Sequence, residues 1–212
     1  MQLTRICLII LLACTLGISS SCKRHYTPKP RGYSRIDVPP HVYTQYKTNC
    51  PFTFEYPIYS VIKRDSSRNA EPCWLNIEYP SFKAKVYLSY KTVNNNLASL
   101  LEDSRTFVYN HTAMADAIDE KVISFPDHKV YGILYDLKGN AASSFQFFAT
   151  DSLHHFIRAS LYFNSRPNYD SLTPIIAYIR QDMVHMVETL QWSKLGLANK
   201  YVNSPSLKTE NN

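Results

Sequence analysis

The stretch Leu75-Asn76-Ile77-Glu78-Tyr79-Pro80-Ser81-Phe82-Lys83-Ala84-Lys85-Val86-Tyr87-Leu88-Ser89-Tyr90 decides the fold class. Leu75, Ile77 and Tyr79 alternate with Asn76 and Glu78 until Pro80 stops the run. Ala84, Val86, Leu88 and Tyr90 then alternate with Lys83, Lys85 and Ser89. Period two with polar residues on the off beat is the mark of strands that bury one face and wet the other. Working upstream, Phe52, Phe54 and Tyr56 alternate with Thr53 and Glu55 up to Pro57, which makes a third strand. The polar run Lys63 to Asn69 between them reads as a loop.

Downstream the period changes. Leu97, Leu100, Leu101, Ser104 and Val108 recur at helical spacing, with Asn94 to Asn96 in front of them as caps, and predict an amphipathic helix. A further helical turn is expected through Met114 to Ile118. Strands follow at 122–125, 130–137, 144–149 and 156–164, joined by turn sequences such as Lys138-Gly139-Asn140 and Thr150-Asp151-Ser152, and neighbours of this kind pair antiparallel. A closing helix carries the stripe Leu172, Ile175, Ile176, Ile179, Met183, Met186, Val187 and Leu190. Asp170 or Ser171 is expected to cap it, Pro174 to lie in its first turn, and Trp192 to pin its end. The expectation is an α+β domain: a mostly antiparallel β-sheet flanked by two main helices. In element order it resembles the Mog1 and PsbP-like domains.

Composition agrees with a packed sheet. The 212 residues are 45% hydrophobic and include 16 Tyr but only 5 Gly, enough apolar mass for one core and too little Gly for a loop-rich scaffold. The net charge of +6 is spread along the chain and forms no basic face, which argues against nucleic acid and suits an anionic envelope surface.

Residues 1–21 carry Arg5, no acid, and an apolar stretch from Ile6 to Ala13, the shape of a secretory signal and too short to span a bilayer. Ser19-Ser20-Ser21 before Cys22 resembles the lipobox of bacterial lipoproteins, in which that cysteine is acylated. Ser19 departs from the usual Leu of that motif. Leu11-Leu12-Ala13-Cys14 is a closer match, but cleavage there leaves an apolar core of only about eight residues, at the short limit for a signal. An ordinary signal with Cys22 as a bystander is the plain alternative. With Cys7 and Cys14 in the signal and Cys22 taking lipid, Cys50 and Cys73 remain. In an oxidising compartment they are expected to form a disulfide, closing a loop of about twenty-four residues at a gain of roughly 3 kcal/mol. Two buried thiols are the alternative. No CxxC or paired His accompanies them to suggest zinc. Signal (1–21), lipidated Pro-rich basic tether (22–45), one globular domain (46–193) and a polar tail (194–212) complete the division.

The tether segment holding Tyr26, Pro28, Lys29, Pro30, Arg31 and Tyr33 favours an extended path; it reads either as a spacer or as a docking strip for a partner. Catalytic signals are thin. His154 and His155 are adjacent, so on a strand they face opposite sides. His185 flanks a packed stripe, and His111, Asp116 and Asp119 have no ligand spacing. There is no GxSxG, SxxK or phosphate-cradling loop. Glu102, Asp103 and Arg105 read as a solvated helix face. No catalytic residue, metal or cofactor is assigned. Asp151-Ser152-Leu153 and Asp170-Ser171-Leu172 resemble the O-glycosylation acceptor pattern of Bacteroidetes, making Ser152 and Ser171 candidate acceptors, and both also read as turn or cap sequences.

Taken in order, the tether segment 26–33, Cys50-Pro51-Phe52-Thr53-Phe54-Glu55-Tyr56-Pro57, Cys73-Trp74-Leu75-Asn76-Ile77, Tyr87-Leu88-Ser89-Tyr90-Lys91 and Glu102-Asp103-Ser104-Arg105 resemble the gliding-motility lipoprotein GldD family of Bacteroidetes. The resemblance implies an envelope lipoprotein required, with sister proteins, for gliding and for the linked type IX secretion system, with no reaction attached. Lys23 and Arg24 follow Cys22 where a surface-export signal would be acidic, so a periplasm-facing domain is expected. A non-catalytic assembly or scaffold factor, binding envelope partners through the tether and an exposed part of the sheet, is the first functional expectation. The second is a module for a small ligand or wall polymer, using an aromatic face that includes Tyr87, Tyr131, Tyr135 and Tyr162.

Overall fold

A computed structural model describes residues 37–164 and 169–193. Its frame is a seven-stranded sheet in the order β4-β5-β6-β10-β9-β8-β7, every neighbouring pair antiparallel. The strands are β4 (Val61–Arg64), β5 (Leu75–Tyr79), β6 (Ala84–Thr92), β7 (Ala115–Phe125), β8 (Val130–Gly139), β9 (Ser143–Thr150) and β10 (His155–Phe163). Two small sheets pair β1 (Tyr43–Gln45) with β3 (Glu55–Pro57), and β11 (Gln191–Trp192) with β2 (Phe52–Thr53). The helices are α1 (Leu97–Tyr109) and α2 (Tyr169–Glu188). This is the antiparallel α+β architecture that the alternating runs predict.

The alternation also assigns the faces. Val86 and Leu88 on β6, Ile157, Ala159 and Leu161 on β10, and Phe145, Phe147 and Ala149 on β9 share one face, where the α2 stripe of Tyr178, Ile179, Met183, Met186 and Val187 closes over them as the main core. On the opposite face Tyr135, Phe148 and Phe156 meet Val108, Leu97, Leu100 and Leu101 of α1 in a second, smaller cluster. The register leaves no slack: a methyl added at Gly132 would sit 1.9 Å from the Phe148 carbonyl oxygen of the neighbouring strand.

Four local expectations are corrected. Met114 to Ile118 is not a helical turn, because Ala115 begins the long β7, where pairing such as Ile118 with Leu137 gives the backbone a ladder that weak local helix signals cannot match. Lys63 and Arg64 belong to β4 and not to a loop, and Lys63 Nζ reaches Glu78 Oε2 across the pair at 2.6 Å. Asn96 stands at the α1 N-cap, but its side chain accepts the Asn94 N–H (2.8 Å) and not a helical amide. The last helix starts at Tyr169, whose N–H donates to Asn140 Oδ1 at 3.0 Å, so Asp170 and Ser171 lie inside the helix and Pro174 falls beyond its first turn. Trp192 sits on β11, and its indole N–H donates to the Lys129 carbonyl (3.0 Å).

The expected border between tether and domain, at residue 45, also falls inside folded structure. Tyr43–Gln45 is a strand paired with β3, and the chain is anchored to the body from Pro39 onward.

Candidate functional site

Cys50 and Cys73 are joined, with Cα atoms 5.7 Å apart, at the border where β2 and β5 begin. Cys73 takes a positive φ of 67°, and Trp74 follows it directly in the chain. Trp74 is then fixed by its indole N–H donating to the Tyr90 carbonyl at 3.0 Å. The bridge thus positions one wall of a pocket described below.

On the α2 face lies a polar cluster that the sequence reading missed. Asp182 is fully buried within the apolar stripe of α2. It accepts hydrogen bonds from Tyr59 (2.8 and 2.9 Å) and Tyr43 (3.0 Å), and His41 Nδ1 lies 2.7 Å from its Oδ1. Burial pushes its carboxyl up from the ordinary value, and the bonds from Tyr59, His41 and Tyr43 pull against that. Burial and the nearby Asp182 carboxylate push the phenols of Tyr43 and Tyr59 far above theirs. Tyr178 stacks on His41 at 4.3 Å and donates to the Pro39 carbonyl at 2.6 Å, while Tyr43 stacks on His185 at 3.7 Å and His185 Nε2 reaches Glu55 Oε2 at 2.7 Å. Asp182, the Pro39 carbonyl and Glu55 draw these side chains together inside the protein, so the arrangement is a clamp holding residues 39–43 against α2. An acidic residue on an apolar helical stripe was the available signal.

On the other face α1 covers only part of the sheet. Past its edge, rows running across β5, β6, β10 and β9 bring up Asn76, Tyr87, Ser160 and Gln146, and next to them Ser89 and Arg158. Tyr87 and Tyr162 meet edge to face at 5.6 Å. Of the four tyrosines expected to form an aromatic face, these two come together. Tyr135 is buried under α1, where desolvation lifts its phenol to about 12, and Tyr131 stands further along β8. A pocket of about 350 Å³ opens between Trp74, Tyr87 and Tyr162, with Arg158 in its lining, and a larger groove of about 740 Å³ continues past the same two tyrosines. Arg158 was not singled out from sequence, although a cation in the middle of a mostly apolar central strand was legible there.

The other sequence candidates are dispersed. Cys22 and the docking strip Tyr26, Pro28, Lys29, Pro30, Arg31 and Tyr33 lie outside the described residues, as does the signal. Ser152 is exposed in the β9–β10 turn and Ser171 is exposed on α2. Glu102 and Arg105 form an exposed pair at 3.9 Å. Among the described residues no group of three His, Cys, Asp or Glu side chains converges to hold a metal.

His155 is buried on β10, with Nδ1 2.9 Å from the Tyr90 hydroxyl and its ring stacked on Trp192 at 5.2 Å. Burial holds its pKa below the ordinary value of about 6.5, against the pull of Asp151. The unfolded chain therefore takes up this proton at higher pH than the folded one, and the associated stability, complete above about pH 6.5, is lost as pH falls through the lower folded value. Denaturant midpoints are expected to drop between pH 7 and about 5, and the His155→Gln protein to show a shallower slope over that window; parallel slopes would contradict this assignment.

The body is an antiparallel α+β sheet domain that holds residues 39–43 against α2 on one face and is only partly covered by α1 on the other. The gliding motility lipoprotein GldD family matches residues 23–192, and the chain belongs to that family. Among solved structures it is similar to the PsbP protein (CyanoP) of Synechocystis sp. PCC 6803, at 12% identity and a TM-score of 0.41, over 75% of this chain and 97% of that one. No curated protein matches it in sequence. Among the described residues no helix is long and apolar enough to cross a membrane.

Proposed function

We propose that the protein is a non-catalytic envelope lipoprotein, acylated at Cys22 and facing the periplasm, that acts as an assembly or scaffold factor for gliding motility and the linked type IX secretion machinery. Family membership supports the motility role. The observation that carries the scaffold reading is β7. It is an eleven-residue edge strand, Ala115–Phe125, whose outer side pairs with no strand among the described residues. An open edge of that length offers a row of backbone donors and acceptors to an incoming strand. Val122 on it is 75% exposed, an apolar foothold among Asp119, Glu120 and Lys121. The tether residues Tyr26 to Tyr33 supply a second contact.

A photo-crosslinking residue placed at Val122 of the full-length lipoprotein in native membranes is expected to trap other motility or secretion proteins, and pull-down in mild detergent to recover the same set. Neither trapping nor recovering any of them would overturn the scaffold reading.

A further inference from the structure

The pocket on the open sheet face has a charge pattern that no part of the scaffold reading uses. The lysines Lys63, Lys85 and Lys91 near it already have carboxylate partners: Lys63 and Lys85 share Glu78, and Lys91 pairs with Glu71. Arg158 differs. Among the described residues no carboxylate lies within ion-pair reach of it, although it is half-buried and desolvation lowers its pKa. Its Nη2 donates to Gln146 Oε1 at 3.2 Å, its guanidinium lies 4.2 Å from the Phe107 ring centroid, and its Nε has no partner. A desolvated cation without a counter-charge costs folding stability. Here a fixed amide and a ring hold it in one orientation at the lining of a pocket, the state of a guanidinium prepared for an anion that comes from outside.

The rest of the lining specifies what carries that anion. Asp65 lies in the same pocket as Arg158 without pairing to it, offering acceptor oxygens to hydroxyl groups. Ser89 and Ser160 add hydroxyls, and Trp74, Tyr87 and Tyr162 form aromatic walls. The volume, about 350 Å³, suits one or two sugar rings and is small for a peptide segment. A pyranose answers all of these at once, with C–H faces for the rings, hydroxyls for Asp65 and the serines, and one carboxylate for Arg158. We infer that this pocket binds a carboxylate-bearing sugar, the carboxylate on Arg158 and the ring between Trp74, Tyr87 and Tyr162.

The test is a titration of the full-length lipoprotein in detergent micelles with N-acetylmuramic acid, N-acetylglucosamine and glycine, read by saturation-transfer NMR and calorimetry. N-acetylmuramic acid is expected to bind, N-acetylglucosamine to bind about tenfold more weakly or less for want of the charge-assisted bond, and glycine not to compete. Arg158→Gln should lose the preference for the acid while its melting temperature holds or rises, since a buried cation is removed. Tyr162→Leu should weaken both sugars together and covers the case in which the Arg158 variant does not fold. Absence of N-acetylmuramic acid binding, equal affinity for the two sugars, competition by glycine, or an acid preference that survives in Arg158→Gln would each overturn the assignment. A failed titration leaves the crosslinking result at Val122 untouched, and an empty crosslink leaves the titration untouched, so the two readings fail separately.

Discussion

Cys73→Ser is expected to lower the stability of the folded domain by about 3 kcal/mol. The bridge spans a sequence separation of 23 residues, and the loop it closes contains β2, β3 and the edge strand β4. Freed, that loop gains conformational entropy in the unfolded chain. In the folded chain β4 loses one of the two ends that hold its four residues on the sheet. For a domain of this size the melting temperature should fall by roughly 6 to 12 °C. Reducing agent should produce the same shift in the native protein and none in the variant, and the native protein should weigh less by one hydrogen molecule than its reduced form. A native protein whose melting is indifferent to reductant would show that the bridge contributes nothing.

A second effect separates this bridge from a generic staple. Trp74 follows Cys73, and the indole that bonds the Tyr90 carbonyl is also one wall of the Arg158 pocket, with Lys91 Nζ 5.3 Å from its ring centroid. Loss of the bridge therefore reaches the open sheet face as well as the core.

Much of this was legible in the chain because period two and period 3.6 are properties of single segments. Leu75 to Tyr90, the stripe of α2 and the antiparallel run from Val130 to Asn164 each carry their own signal, and burial against a shared core requires nothing further. The misread segments were those where a distant partner decides. Ala115 to Ile118 has no strong local preference and becomes strand because Leu137, Lys138 and Gly139 are there to pair with it. Tyr169 is capped by Asn140 from 29 positions away, so the helix start could not be read from Asp170 and Ser171 alone.

The two candidate sites were hidden for the same reason. Asp182 and Arg158 are each a charge set into an apolar pattern, which marks them as odd. What makes one a structural clamp and the other an open site is whether a partner arrives from elsewhere in the fold. Asp182 receives His41, Tyr43 and Tyr59, whereas Arg158 receives a neutral amide and a ring. Of the aromatic face expected from Tyr87, Tyr131, Tyr135 and Tyr162, Tyr135 drops out because α1 lies over it, a fact of packing that strand periodicity does not encode.

The largest single-site effect is expected at the clamp. Replacing Asp182 with Leu keeps the apolar stripe but leaves the Tyr43 and Tyr59 hydroxyls and the His41 ring without their common acceptor. Breaking a buried group of this kind costs about 3–5 kcal/mol when the orphaned donors stay buried. They need not all stay buried. His41 is 26% exposed and Tyr43 sits on a three-residue strand, so the cheaper response is release of residues 37–45 from α2 and from β3. Asp182→Leu should therefore show amide exchange and protease cleavage in 37–45 before the sheet melts. Tyr59→Phe, which removes one donor and leaves the carboxylate its others, should cost about 1 kcal/mol and keep the segment protected. If Asp182→Leu retained both its melting temperature and its protection at 37–45, the cluster would not be what fixes the root of the tether. With the clamp intact, residues 39–43 are held against α2, on the face of the sheet opposite Arg158.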